Sequence, residues 1–405
     1  MINKKLSTKL QCNTQTAGIA VLNKELIKSQ ILDKINDKCK KHSGFLASEI
    51  ISIGIYKNIL NISTLTETAE VFEDIPEYSL TLNRTTLARN FARIGKLRLH
   101  NEFLYLQVKY ILKKFKVKKK EIRIIVDETT IEVSKGSKYE SAEWVWDNAQ
   151  GKLVWGYYVT IIAIAFRNIF LPIHYDLGNM SKNEILEVFM SVRTLTKSNI
   201  VSFDGGYACD NFYETLTKHD FIFYSKVPKN YIFNNGLSEN VKSMQNKLKL
   251  KKKKFHKIIA NRVKDKVIKN DVYSLCFRGD DPRIIITNDL NCSSSKAFKE
   301  FKKRWDIEVC NAELKENFCF EKLPVKNIDG IIGYLFTTMI ALNLVTIIKL
   351  KHKNKLGKMF NKGFKKIIRQ ILLVKARWIS LFELAKAKFK KKFKHKWFYE
   401  FYELT

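Results

Sequence analysis

Two apolar runs in the middle of the chain close on an aspartate: IRIIVD on Asp127 and NIVSFD on Asp204. Their Ile and Val content is that of buried strands. Ligands in open α/β sheets collect at the carboxyl ends of strands, so two such acids on adjacent strands face one crevice. One strand-end Asp commonly does no more than cap the next turn; a pair makes a candidate metal site. A third acid lies in FKKRWDIEVCNAELK, residues 301–315. Phe301, Arg304, Glu308 and Lys315 are spaced by 3, 4 and 7 and share one stripe of a helix. Taken alone, that stripe reads as a surface ion-pair ladder from Arg304 to Glu308.

The combination carries chemistry. Three carboxylates drawn to one place repel each other and must be neutralised, which divalent cations with oxygen ligands do. The expected cofactor is Mg²⁺, with Mn²⁺ as a substitute. Two ions about 3.5–4 Å apart clamp the attacking and leaving oxygens of an in-line phosphoryl displacement. Arg304 and Lys315 then hold the neighbouring phosphates.

The elements that must position these residues follow from the rest of the chain. It has 405 residues, 73 Lys plus Arg against 40 Asp plus Glu, and a formal net charge of +33. With 45% hydrophobic residues it has material for a core, and its length allows two or three domains. The basic surplus is clustered, which fits a polyanionic partner better than a lysine-rich codon bias. Seven cysteines without C-x-x-C spacing exclude a zinc ribbon and a disulfide framework, and free thiols suit a reducing cytoplasm. Residues 1–16 hold no apolar signal core. Residues 331–348 are uncharged and long enough to be weighed as a membrane span. Gly333, Thr337, Thr338, Asn343 and Thr346 dilute them, so a core helix and no membrane are expected.

Residues 1 to about 115 read as helical. Thr64 or Thr66 caps a short helix, Pro76 breaks the chain, and Leu87, Phe91 and Ile94 mark one face of a helix within 81–103. Arg89 and Arg93 lie off that face. They reach DNA if this is a recognition helix, and line a solvated basic face if it is an ordinary amphipathic one. From residue 116 the period changes. The strand ending at Asp127 is followed by a hairpin (157–166 and 169–176), a helix (183–195), the strand ending at Asp204, a helix (211–218) and a strand (221–227). Lys226, at the end of the last strand, is a candidate DNA contact.

That order predicts an α/β mixed sheet with flanking helices, α+β once the helical ends are counted. Residues 242–269 then hold twelve Lys or Arg and one acid, Asp265. They form either a basic hairpin lying on DNA or a disordered basic loop. The sheet resumes at 283–287, and one long helix is expected over 296–320, with Trp305, Ile307 and Leu314 buried. Trp144 and Trp146 are expected to pack within a loop, and His174 to be structural. From residue 351 onward seventeen Lys or Arg face three acids, interleaved with aromatics, as in basic amphipathic helices.

Phe301-x2-Arg304-x3-Glu308-x6-Lys315 resembles the Tyr-x2-Arg-x3-Glu-x6-Lys signature of bacterial insertion-sequence DDE transposases of the IS-four type. Asp204-Gly205-Gly206-Tyr207 is similar to the family's Asp-x-Gly-Tyr pattern, and Asp127-Glu128-Thr129-Thr130 to its strand-end Asp followed by Thr. The order and the gaps, 77 residues and then 104, agree with it. The resemblance spans roughly residues 120–350. It implies a ribonuclease-H-like core in two parts, 116–227 and 281–350, split by a β-rich basic insertion at 228–280. A helical DNA-binding domain (1–115) precedes it and a basic helical tail (351–405) follows.

The resemblance further implies Asp127, Asp204 and Glu308 as catalytic metal ligands, with Tyr207 and Phe301 beside the DNA. The implied function is binding of terminal inverted repeats, then metal-dependent strand cleavage and strand transfer of the cut-and-paste type. The implied partners are the double-stranded DNA of the repeats and the target, with a homodimer in the synaptic complex, in a bacterial, nucleoid-associated setting. A catalytically inactive DNA-binding descendant is the competing reading. Phe301 stands where the family has Tyr, so one hydroxyl contact to phosphate is missing. No Trp lies between Trp155 and Trp305, leaving Tyr231, Phe233 or Phe255 to stack a flipped base from the insertion.

Overall fold

The computed structural model describes residues 26–356 apart from 27, 30, 40–44, 74–81, 168, 249–250, 252 and 280. Pro76 and the tail beyond 356 therefore lie outside the described residues.

Among the described residues five helices come first: α1 (Ile31–Lys38), α2 (Ala47–Leu60), α3 (Leu65–Glu73), α4 (Arg84–Lys96) and α5 (His100–Lys114). Thr64 caps α3, its Oγ1 accepting from the Glu67 amide at 3.1 Å. Asn83 does the same for α4 through the Thr86 amide at 2.9 Å. The helix expected over 81–103 is two helices. The chain turns between α4 and α5 at Arg98, which takes a left-handed φ of 53°.

The sheet follows as β1 (Arg123–Glu132), β2 (Glu143–Asp147), β3 (Lys152–Phe166) and β4 (Ile169–Leu177). Then come α6 (Lys182–Thr196), β5 (Ile200–Phe203), α7 (Asp210–Lys218) and β6 (Ile222–Lys226). The stretch before the next core strand holds β7 (Ile232–Asn234), β8 (Ser238–Asn240), α8 (Val241–Leu248), β9 (Phe255–Lys264) and β10 (Val267–Arg278). The chain continues as β11 (Asp281–Thr287), α9 (Ser294–Lys302), α10 (Trp305–Asn317) and α11 (Ile328–Leu356).

The eleven strands of the described residues form one sheet in the order β2-β3-β1-β5-β6-β11-β10-β9-β7-β8, with β4 also paired to β3. β1, β3 and β4 are an antiparallel meander, and β5 and β6 run parallel to β1. This is a mixed α/β fold with flanking helices, in the order of a ribonuclease-H-like core. The β9–β10 hairpin does not stand apart: β10 pairs with β11, so the basic stretch prolongs the same sheet.

Helices cover both faces of the sheet. On one, α6 and α7 bury an aromatic cluster of Phe189, Phe203, Phe212, Tyr213 and Phe223. On the other, α9 buries Ala297, Phe298 and Phe301 against Tyr224, Cys276 and Ile285. The window Ile328–Ile347 of α11 is fully buried, enclosed by α2, α4, α5 and β4. It is the core helix that its diluted composition leads one to expect.

Candidate functional site

Parallel pairing sets the first relation in the site. Ile124 lies opposite Val201 and Ile125 opposite Ser202, a constant offset of 77 residues. Continued two residues past the Ile125–Ser202 pair, the same offset places Asp204 beside Asp127. In-register neighbours of a sheet present side chains to the same face. The two acids thus stand together on the face that α9 covers. Asp204 sits just after β5 and opens a short turn, Gly205–Tyr207. Asp127 lies within β1, which runs on to Glu132. The pairing of β5 with β6, Ile200 with Ile222 through Phe203 with Ser225, continues likewise to set exposed Lys226 beside Asp204.

The third acid comes from the far side of the crevice. The expected long helix over 296–320 is broken into α9 and α10. At the junction the backbone bonds tighten: Lys303 N to Glu300 O at 3.1 Å, Arg304 N to Phe301 O at 2.9 Å, and Ile307 N to Arg304 O at 2.9 Å. The cause is a change of hydrophobic phase. Phe298 and Phe301 are buried in the smaller core, while Ile307, Cys310 and Leu314 are buried in the main one. Trp305, expected inside, is 53% exposed as a result. Phe301 and Glu308 therefore sit on different helices rather than on one stripe.

α10 lies over β1 and β4. It brings Asn311 to Asp127, Nδ2 donating to Oδ2 at 3.4 Å. Arg304 pairs with Glu308 through Nη2 and Oε1 and rests 5.3 Å from the Phe301 ring centroid. So the ion pair is formed, and it forms beside the acids rather than on an open surface: Arg304 is only 8% exposed, and its Nε has no hydrogen-bond partner. The missing Tyr hydroxyl at Phe301 leaves ring packing intact.

The electrostatics register the convergence. Burial pushes the Asp127 carboxyl up to about 7; the Arg304 charge pulls it down, while Asp204 and Glu308 push it up. Asp127 thus feels both other acids. The Arg283 guanidinium on β11 is held above its ordinary range by Asp281, then by Glu308 and Asp204. Arg283 had no signal in the sequence beyond its place in a strand. It donates to both Asp281 oxygens, at 2.8 and 2.7 Å. Asn311 was equally missed, although its spacing of three from Glu308 puts it on the same helical face.

Other expected site residues fall elsewhere. Lys315 pairs with Glu321 at 2.7 Å and lies toward Asp147. Tyr207 is buried against Phe203, its hydroxyl next to Glu128 on the opposite face of β1. Arg89 is exposed on α4, whereas Arg93 is half-buried beside Cys39. Of the stacking candidates, Phe233 is fully buried and Tyr231 lies under Arg262 at 4.0 Å; Phe255 is 41% exposed. Trp144 and Trp146 form part of strand β2 rather than a loop, and both are about half exposed, at 52% and 47%. His174 lies beside Asn101, with 3.4 Å between Nε2 and Nδ2.

Among the described residues no three His, Cys, Asp or Glu side chains form a ready metal site. The donor set still fits a hard divalent cation. It offers the Asp127 carboxylate, whose proton affinity Asp204 and Glu308 raise, and a buried Asn311 Oδ1 without a partner. Glu308 is paired with Arg304 beside them.

Comparisons with known proteins bear on the same segment. No curated protein matches the chain. Among solved structures, the Drosophila P element transposase strand transfer complex matches with 11% identity and a TM-score of 0.27. The match covers 56% of this chain and 55% of that one, so the chain spans about half the length of that relative. A family model described as "Transposase DDE domain" matches residues 118–344, more than half of the sequence, from just before β1 to within α11. The chain belongs to the transposase DDE domain family.

Proposed function

We propose that this transposase binds the terminal inverted repeats of an insertion sequence, cleaves a DNA strand at each end and joins the freed ends to target DNA. The observation that carries this reading is the in-register pair Asp127 and Asp204 under the helix that bears Glu308. We infer that these three acids hold two Mg²⁺ ions, for which Mn²⁺ substitutes. When bound, such ions activate the attacking oxygen and stabilise the leaving one.

The chain's own residues supply the rest. Arg304, freed from Glu308, aims its guanidinium at a phosphate, and Lys226 and Arg283 flank the same crevice from β6 and β11. Lys315 reaches DNA only after leaving Glu321. We assign residues 116–227 and 281–350 to the catalytic core and residues 1–115, with Arg89 exposed, to DNA binding. The β9–β10 hairpin presents Phe255, Ile259, Val267 and Ile268 to solvent among its lysines, a surface suited to lying along a duplex. Synapsis of two ends calls for a homodimer. The setting is DNA in the bacterial cytoplasm, consistent with the burial of α11 within the protein.

The test is cleavage of duplex DNA carrying the sequences that flank the gene, with Mg²⁺ and purified protein. Wild type nicks at the repeat ends, and Glu308→Ala does not. Undiminished nicking by Glu308→Ala removes the site assignment. Tight repeat binding with no cutting by wild type points instead to an inactive DNA-binding descendant.

A further inference from the structure

Resting on the carboxylate reading above, the geometry points to Asn311 as an additional, neutral oxygen ligand for the cation held at Asp127. Asn311 is 9% exposed and lies one helical turn beyond Glu308 on the same face of α10. Its Nδ2 approaches Asp127 Oδ2 at 3.4 Å, a long contact, and its Oδ1 has no hydrogen-bond partner. Buried side-chain oxygens are nearly always satisfied, and one that is not calls for a missing ion or water. The oxygen and nitrogen share one carbon, so the unsatisfied oxygen stays beside Asp127. Flipping the amide does not solve the problem: it sets oxygen against a carboxylate and strands the NH₂ group instead.

The chemistry of the site explains why an amide belongs there. Hard divalent cations take neutral Asn oxygens alongside carboxylates. A fourth acid would add to the mutual repulsion already felt at Asp127, whereas an amide adds a donor without charge.

The test is Mn²⁺ titration of the full-length protein without DNA, with free Mn²⁺ followed by electron paramagnetic resonance. Asn311→Leu is expected to weaken Mn²⁺ binding about tenfold or more, Asn311→Asp to keep or exceed wild-type affinity, and Asp204→Asn to lose binding. In metal-free buffer Asn311→Leu should melt at or above wild type, because it removes an unsatisfied polar group; a packing role predicts a lower melting point. Wild-type affinity in Asn311→Leu, with binding lost in Asp204→Asn, overturns this inference alone. Wild-type affinity in Asp204→Asn, or no Mn²⁺ binding by wild type, overturns the carboxylate reading and this ligand with it. If Asn311→Leu does not fold, Asn311→Asp decides, since a tenfold loss there removes Asn311 from the ligand set.

Discussion

Gly95 of α4 and Gly333 of α11 meet backbone to backbone. A Cβ on Gly95 would lie 1.8 Å from the Asp329 carbonyl oxygen, and one on Gly333 would lie 2.1 Å from that of Phe91. Neither obstacle is a side chain that can swing aside. The crossing fixes α4, with its exposed Arg89, against the helix at the centre of the protein. Arg98 reinforces it by pairing with Asp329 at 2.8 Å. Gly95→Ala and Gly333→Ala are each expected to cost about 3 kcal/mol or more, the upper end for overpacking, because backbone must move. The double variant should cost less than the sum, since one separation relieves both clashes. Gly136→Ala, with nothing within 4 Å, is the control and should stay within about 0.5 kcal/mol. Urea midpoints of the four variants against wild type check this.

A buried ion pair ties the strand of Asp127 to the helix before Glu308. Arg123 Nε donates to Glu300 Oε2 at 2.5 Å, with both side chains more than nine-tenths buried. Lys303 adds contacts of 2.9 Å to both Glu300 oxygens. Burial raises the Glu300 carboxyl, but Arg123 and Lys303 outweigh it and leave the group below the usual carboxylate range. Arg123→Met strands a carboxylate and Glu300→Gln strands a guanidinium. Each should cost about 3–5 kcal/mol, whereas Arg123→Met with Glu300→Gln should cost less than the sum of the two. A double-mutant cycle in urea measures the coupling. Additive losses would show that the two charges are solvated independently.

Local pattern made much of this protein legible. Apolar runs ending in Asp marked β1 and β5, and the 77-residue gap between their acids proved to be the register offset itself. What stayed hidden depends on contacts distant in sequence. The break between α9 and α10 has no Gly or Pro to announce it; it arises because Phe301 and Ile307 belong to different cores. The enclosure of α11 by the opening helices is equally silent locally. It rests on pairs such as Asn58 with Thr337 and Thr338, at 3.1 and 3.0 Å, and Asn343 with Gln107 at 3.0 Å. The exposure of Trp144 and Trp146 follows from their place on a strand that pairs only with β3, which a reading of the stretch as loop does not reveal.

His100 and His174 give the fold a pH dependence of definite sign. They lie where α5 packs on β4, with the His100 ring tilted at 41° against Tyr175 and 4.7 Å between ring centroids. Burial pushes both imidazoles down to about 4, and at His100 the neighbouring His174 and Arg98 push further in the same direction. Above the ordinary value of 6.5 both rings are neutral in either state, and the stability they permit is fully present. As pH falls from 6.5 toward 4 the unfolded chain takes up protons that the fold refuses, so stability is lost. At 1.36 kcal/mol per pH unit the loss approaches about 3 kcal/mol per ring. For the pair the losses add, since repulsion between two protonated rings only deepens the fold's refusal of the second proton. Urea midpoints at pH 7, 6, 5 and 4 should fall steeply for wild type and less steeply for His174→Gln, with the gap opening below pH 6.5. Parallel curves for the two proteins would mean that His174 titrates in the fold as it does in water.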